Sequence, residues 1–106
     1  MNTKTLKFII DNYSKGKPVY SKMVNLFGWG WTEDDGELAE KQIENPVIEL
    51  PRMNTHQHGW LIFCNGEEDT YIPQGIAMKE AGFSHDLVIM YCQACKDGAL
   101  IIDLSV

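Results

Sequence analysis

The chain has 106 residues, 44% of them hydrophobic, with a net charge of −6 and three cysteines. That length and apolar share suit a single globular domain over residues 1–106 and exclude a disordered chain or one held only by disulfide staples. No apolar run approaches the roughly 20 residues of a membrane span, and the lysine-flanked start lacks a signal-peptide core. A cytoplasmic protein with reduced thiols is expected.

Charge is unevenly distributed. Residues 1–32 hold five lysines against Asp11, a balance of +4, while residues 33–106 hold 14 acids against four bases, a balance of −10. An acidic body opposes nucleic-acid backbones and anionic membrane surfaces, and it complements a basic protein.

In chain order, Thr5 to Ser14 is the first expected helix, because Leu6, Ile9, Ile10 and Tyr13 recur at one helical face. Lys15-Gly16-Lys17 ends it. Pro18 then opens a second helix, Pro18 to Phe27, with Val19, Met23, Leu26 and Phe27 on its apolar side. Two helices across a glycine turn give residues 5–31 the outline of a helix-turn-helix or of an ordinary helical hairpin. The hairpin is preferred, since the next segment is rich in carboxylates that repel phosphate.

Gly28-Trp29-Gly30-Trp31 places two large rings between flexible glycines. The rings serve either as core caps or as interface anchors, a role in which tryptophan is over-represented. Thr32 caps the next helix, Glu33 to Glu44, in a capping-box pattern with Asp35 in the place of the usual Glu or Gln. Leu38, Ala39, Gln42 and Ile43 give it a narrow apolar stripe. Its remaining surface is acidic, through Glu33, Asp34, Asp35, Glu37 and Glu40. Asn45-Pro46 terminates it.

Val47 to Met53 is expected to be a strand near a sheet edge, because Pro51 cannot donate to a central ladder. Asn54 to Gly59 is a polar turn. Trp60 to Cys64 and Ala99 to Leu104 are apolar at nearly every position, the pattern of central strands covered on both faces. Asn65 to Thr70 is a turn by composition, and a short helix runs from Gln74 to Ala81, closed by Gly82. Ser84 and Asp86 then open a helix that Gly98 stops, with Leu87, Val88, Tyr91 and Cys95 on one face. The competing arrangement is a β-hairpin turning at Asp97-Gly98.

Cys92-Gln-Ala-Cys95 on a helix gives two thiols one turn apart within the apolar arc, where cysteine behaves as a small hydrophobe. A zinc site would need Cys64 and help from His56, His58 or His85, and no spacing among them matches a known ligand set. Thioredoxin-type chemistry needs the pair at a helix start, and here both thiols fall late in the helix. Asp103, near the end of a strand, is expected at the surface. The chain contains no phosphate loop, nucleophile elbow, HExxH or calcium loop.

The expected fold is α+β, a three-stranded sheet (Val47–Met53, Trp60–Cys64, Ala99–Leu104) with packed helices. The expected function is non-catalytic: a protein of the immunity-protein, antitoxin or phage-inhibitor class that occludes a basic partner protein through Trp29, Trp31, Glu33, Asp34, Asp35, Glu37 and Glu40. It needs no cofactor and no metal. The alternatives are a helix-turn-helix regulator using residues 5–31 and a thiol- or metal-dependent activity at Cys64, Cys92 and Cys95.

Overall fold

The computed structural model describes residues 2–13, 23–25, 32–56 and 59–105. The elements run α1 (Thr3–Tyr13), β1 (Met23–Asn25), α2 (Glu33–Glu44), β2 (Met53–His56), β3 (Gly59–Phe63), α3 (Glu68–Ala81), α4 (His85–Lys96) and β4 (Ile101–Ser105). The architecture is α+β, a small sheet with helices packed against it. The sheet has four strands where three are expected, in the order β1-β4-β3-β2. β4 runs parallel to β1 and antiparallel to β3, and β2 pairs antiparallel with β3 at the edge.

Local chemistry sets most helix ends. Asn2 accepts from the Thr5 N–H at 2.8 Å and opens α1. Thr32 and Asp35 exchange reciprocal hydrogen bonds, so the capping box forms with aspartate in the N3 place. Ser84 Oγ accepts from the Leu87 N–H and starts α4, so this segment is a helix and not a hairpin strand. α3 begins at Glu68, six residues before the expected Gln74. Glu68 and Asp69 suit the positive end of a helix, and Pro73 inside it forgoes only one backbone bond. Gly82 closes α3 at a φ of +105°, with the Phe83 N–H reaching back to Met78 O, and this turns Phe83 into the core.

Three expectations about strands are corrected. The helix expected over Pro18–Phe27 gives way to a strand at Met23–Asn25, because these residues pair with Ile101–Asp103 far along the chain. Residues 18–22 and 26–31, Trp29 and Trp31 among them, lie outside the described residues. The edge strand expected at Val47–Met53 starts only at Met53. Gln42 takes the Val47 N–H at 2.8 Å and donates to the carbonyls of Val47 and Pro51, so that backbone has no ladder to join. His56, placed in a turn by its polarity, is the last residue of β2.

β3 and β4 are the central strands, as their apolar runs imply. Their two faces differ, contrary to the expectation of full cover. Ile62, Ile102 and Leu104 are inaccessible on the face that meets the helices, while Leu61, Phe63 and Ile101 on the other are half-buried. Arg52 stacks its guanidinium 5.5 Å from the centre of the Phe63 ring on this second face. Asp103 faces the same way but is buried, not at the surface. Every residue of α4 from Leu87 to Cys95 is buried, which makes α4 the central helix of the core.

Candidate functional site

α2 displays its charge as a stripe. Glu33, Glu37, Glu40 and Glu44 fall at i, i+4, i+7 and i+11, and all four are exposed, as is Asp34 beside them. Among the described residues no lysine or arginine forms an ion pair with any of them; the pairs that occur, Lys7–Glu68 and Lys96–Asp11, lie elsewhere. Like charges one turn apart cost an isolated helix about 0.2–0.5 kcal/mol per pair. Glu40 and Glu44 also sit toward the negative end of the helix dipole. Glu33 and Asp34 suit the positive end of α2, so the part of the stripe that works against the helix is Glu37, Glu40 and Glu44.

Asp35 belongs to a different structure. It has no exposed surface, and its carboxylate accepts from Thr32 N at 2.9 Å, Ser84 N at 2.7 Å and Ser84 Oγ at 2.6 Å. One side chain thus ties the N-termini of α2 and α4 together across 49 residues. Behind α2, the outer edge of the Trp60 ring lies so close to Gly36 that an added methyl would stand 2.7 Å from it.

Beyond α2 the chain makes a tight turn, with the Leu50 N–H on Val47 O. The buried Gln42 amide holds this turn through three hydrogen bonds, and Ile48 projects from it 92% exposed. A groove of about 480 Å³ runs along one flank, lined by Leu38, Val47, Leu50 and Phe83 among others. A second, of about 370 Å³, separates Ile48 from Pro73, Ile76 and Ala77 of α3, with Glu49, Asp69 and Glu80 around it. Acidic stripe and apolar turn thus succeed each other along one stretch of chain.

The three thiols divide into one and two. Cys92 points toward α3, where its sulfur lies 3.7 Å from Tyr71 O and closes on Gly75. Burial pushes its thiol up from the usual range and keeps it protonated. Cys95 instead meets Cys64. The Cys64 thiol hydrogen-bonds to the Cys95 sulfur, which raises the pKa of Cys64 and lowers that of Cys95, and the Asn65 N–H adds to the lowering. Tyr91, whose hydroxyl meets Gln74 Oε1, is pushed up by burial. Gln93, also on α4, is buried with neither amide atom bonded among the described residues.

His85 is exposed in the first turn of α4, His56 is in β2, and His58 lies outside the described residues. Among the described residues no three His, Cys, Asp or Glu side chains gather in a way that could hold a metal ion. No helix among them is long and apolar enough to cross a membrane. No family model, curated protein or solved structure matches the chain.

Three features escape a reading of the sequence. By charge Asp35 belongs with the acidic surface, although its place in the capping box turns it toward the helix end. By pattern Ile48 belongs to a strand, although Asn45-Pro46 and Pro51 on either side mark a turn. The Cys64–Cys95 contact has no local signal, being a meeting of a strand end with a helix end.

Proposed function

We propose that this is a non-catalytic binding protein that docks a basic partner protein on α2, in the manner of an immunity protein, antitoxin or phage-type inhibitor. The observation that carries the reading is the exposed stripe Glu33, Glu37, Glu40 and Glu44, with Asp34 beside it and no cation of the described residues paired to it. Uncompensated charge of one sign costs the free protein stability and is recovered when an opposite charge arrives. Complementary charge also speeds encounter, an effect that weakens with salt. Asp35 has no part in the contact, being consumed by the link between α2 and α4.

Charge of this kind steers more than it holds, so the interface needs an apolar anchor. Ile48 supplies one, since the Gln42 clamp fixes its turn before binding and spares that ordering cost. Trp31 stands next to the Thr32 cap in the sequence, and with Trp29 it is the second candidate anchor at the other end of α2.

The test is capture of the partner from the native host, followed by binding kinetics with purified components. The triple change Asp34→Lys, Glu37→Lys and Glu40→Lys should slow association about tenfold or more and remove most of its salt dependence. Ile48→Ser and Trp31→Ala should act mainly on dissociation, a hot-spot loss being about 2 kcal/mol or more. A partner whose binding ignores all three variants places the interface elsewhere on the molecule. A co-purified small molecule or metal ion with no protein partner refutes the reading.

A further inference from the structure

We propose that Asn65 is a modification site, at which the Gly66 backbone nitrogen displaces the side-chain amide as ammonia and leaves aspartate or isoaspartate between β3 and α3. This inference goes beyond the binding function and stands without it. Three Asp or Asn residues of the chain precede a glycine: Asp35, Asn65 and Asp97. In each the group that would attack the side chain is the glycine N–H, and the fold treats the three differently. Gly36 N donates to Thr32 O at 3.2 Å inside α2, and Gly98 N donates to Cys95 O at 3.1 Å at the close of α4. Gly66 N has no hydrogen bond to any described residue, and both Asn65 and Gly66 are exposed.

The side chain is also in place. Asn65 Oδ1 accepts the Glu67 N–H at 2.8 Å, an Asx turn that folds the amide back over the Gly66 peptide and polarises its carbonyl. As Gly66 N bonds to Asn65 Cγ, negative charge develops on Oδ1, where that same N–H already donates. Gly66 carries no side chain to obstruct the approach.

The step balances without a cofactor. Hydroxide takes the Gly66 N proton, the nitrogen attacks Cγ, and the side-chain amide leaves as ammonia after gaining a proton from water. Water then opens the resulting cyclic imide. Opening at Cγ restores the ordinary backbone with aspartate in place of Asn65, and opening at the main-chain carbonyl routes the backbone through Cγ as isoaspartate. One water is consumed, one ammonia is released, and no electrons are transferred. Either product adds a negative charge to a chain already at −6. Isoaspartate also lengthens the backbone by a methylene, in a corner pinned by Cys64 N on Leu100 O at 2.8 Å and Tyr71 N on Glu67 O at 2.9 Å.

The experiment is incubation of the purified full-length protein in mildly alkaline buffer, followed by intact mass, a peptide map and enzymatic methylation of isoaspartate. The expected result is a gain of about 1 Da per chain, confined to Asn65, with isoaspartate among the products and a rate that rises with pH. The other five asparagines precede a residue with a side chain or, at Asn45, a proline with no N–H, and should remain intact over the same interval. Gly66→Ala should slow the loss about tenfold or more while its circular dichroism stays native. Its methyl would stand at an ordinary 3.7 Å from Cys95 O, and Gly66 is not at positive φ. The folded protein should react at least as fast as the same chain in urea, since the Asx turn orients the amide before the attack. The wild-type map decides the matter even if the variant fails to fold. Earlier loss at another asparagine, aspartate without isoaspartate, an unchanged mass, or a folded rate well below the rate in urea would each overturn the proposal.

Discussion

Replacing Asp35 with alanine should be among the most damaging single changes in this protein, although the residue sits in a helix crowded with exposed carboxylates that add nothing to the fold. Its carboxylate is inaccessible and accepts three hydrogen bonds, two of them from Ser84 at the start of α4. Hydrogen bonds to a charged group contribute about 1.5–3 kcal/mol each, and an orphaned buried donor costs about 1–3 kcal/mol. The Thr32 N–H, on an exposed residue, can turn to water, and the Ser84 hydroxyl can rotate. Those reliefs bring the expected loss to about 3–5 kcal/mol. For a domain of this size that corresponds to a fall in Tm of roughly 15–20 °C. The assay is urea unfolding followed by circular dichroism, with Asp34→Ala as the neighbouring exposed control, expected to change stability by about 0.5 kcal/mol or less. Ser84→Ala should cost about 1–2 kcal/mol, because it removes both the α4 cap and one Asp35 contact. The double variant should be less damaging than the sum, by about 1 kcal/mol or more. If Asp35→Ala costs under about 1 kcal/mol, or the two changes simply add, the carboxylate does not tie α2 to α4 as described.

Other consequences are open to similar measurement. Gly75→Ala would place a methyl 2.6 Å from Cys92 Sγ and 3.0 Å from Leu6 Cδ2 and should cost about 1–3 kcal/mol; adding Cys92→Ala should restore part of that loss in the same urea assay. Gln42→Ala should free the turn that carries Ile48, lowering stability by about 2 kcal/mol and speeding amide exchange at Val47, with α4 left protected. Burial raises the Tyr71 hydroxyl from 10.0 to about 12 and also raises the Cys92 thiol above its ordinary 9.0. The folded state therefore holds these protons more tightly than the unfolded chain does. Their contribution is complete below pH 9 and is lost as pH rises through the alkaline range, so the urea midpoint should fall from about pH 9 upward. A midpoint unchanged between pH 8 and pH 11 would contradict this.

What could be seen in the sequence was what neighbours in the chain decide. The Thr32 and Ser84 caps marked the starts of α2 and α4, because a capping side chain bonds a backbone N–H only three residues on. The apolar runs around Ile62 and Ile102 marked the central strands, since burial is what those residues have in common. What stayed hidden was decided by partners far away. Met23-Val24-Asn25 has a pattern equally suited to a helix, and only pairing with β4 makes it a strand. Val47 to Leu50 is apolar enough for a strand, yet Gln42 had already taken its backbone groups. The acidic stripe of α2 was legible from spacing alone. That Asp35 is missing from it followed from Ser84, 49 residues later.

The place of β4 in the sheet has a consequence for the order in which the protein is made. Among the described strands β1 pairs only with β4, so it has no partner until Ile101 to Asp103 has been synthesised, each residue of β1 meeting one 78 positions further along the chain. At about 5–20 residues per second, β1 leaves the ribosome some 4–15 seconds ahead of its partner. β3 has only the edge strand β2 to pair with during that interval. β4 then fills the gap between them and bonds both neighbours, so one late event converts a two-stranded ribbon and a separate segment into the finished sheet. Folding governed by contacts this distant is slow, and the nascent chain spends its waiting time with strand edges open, in the state where chaperones and proteases compete for it.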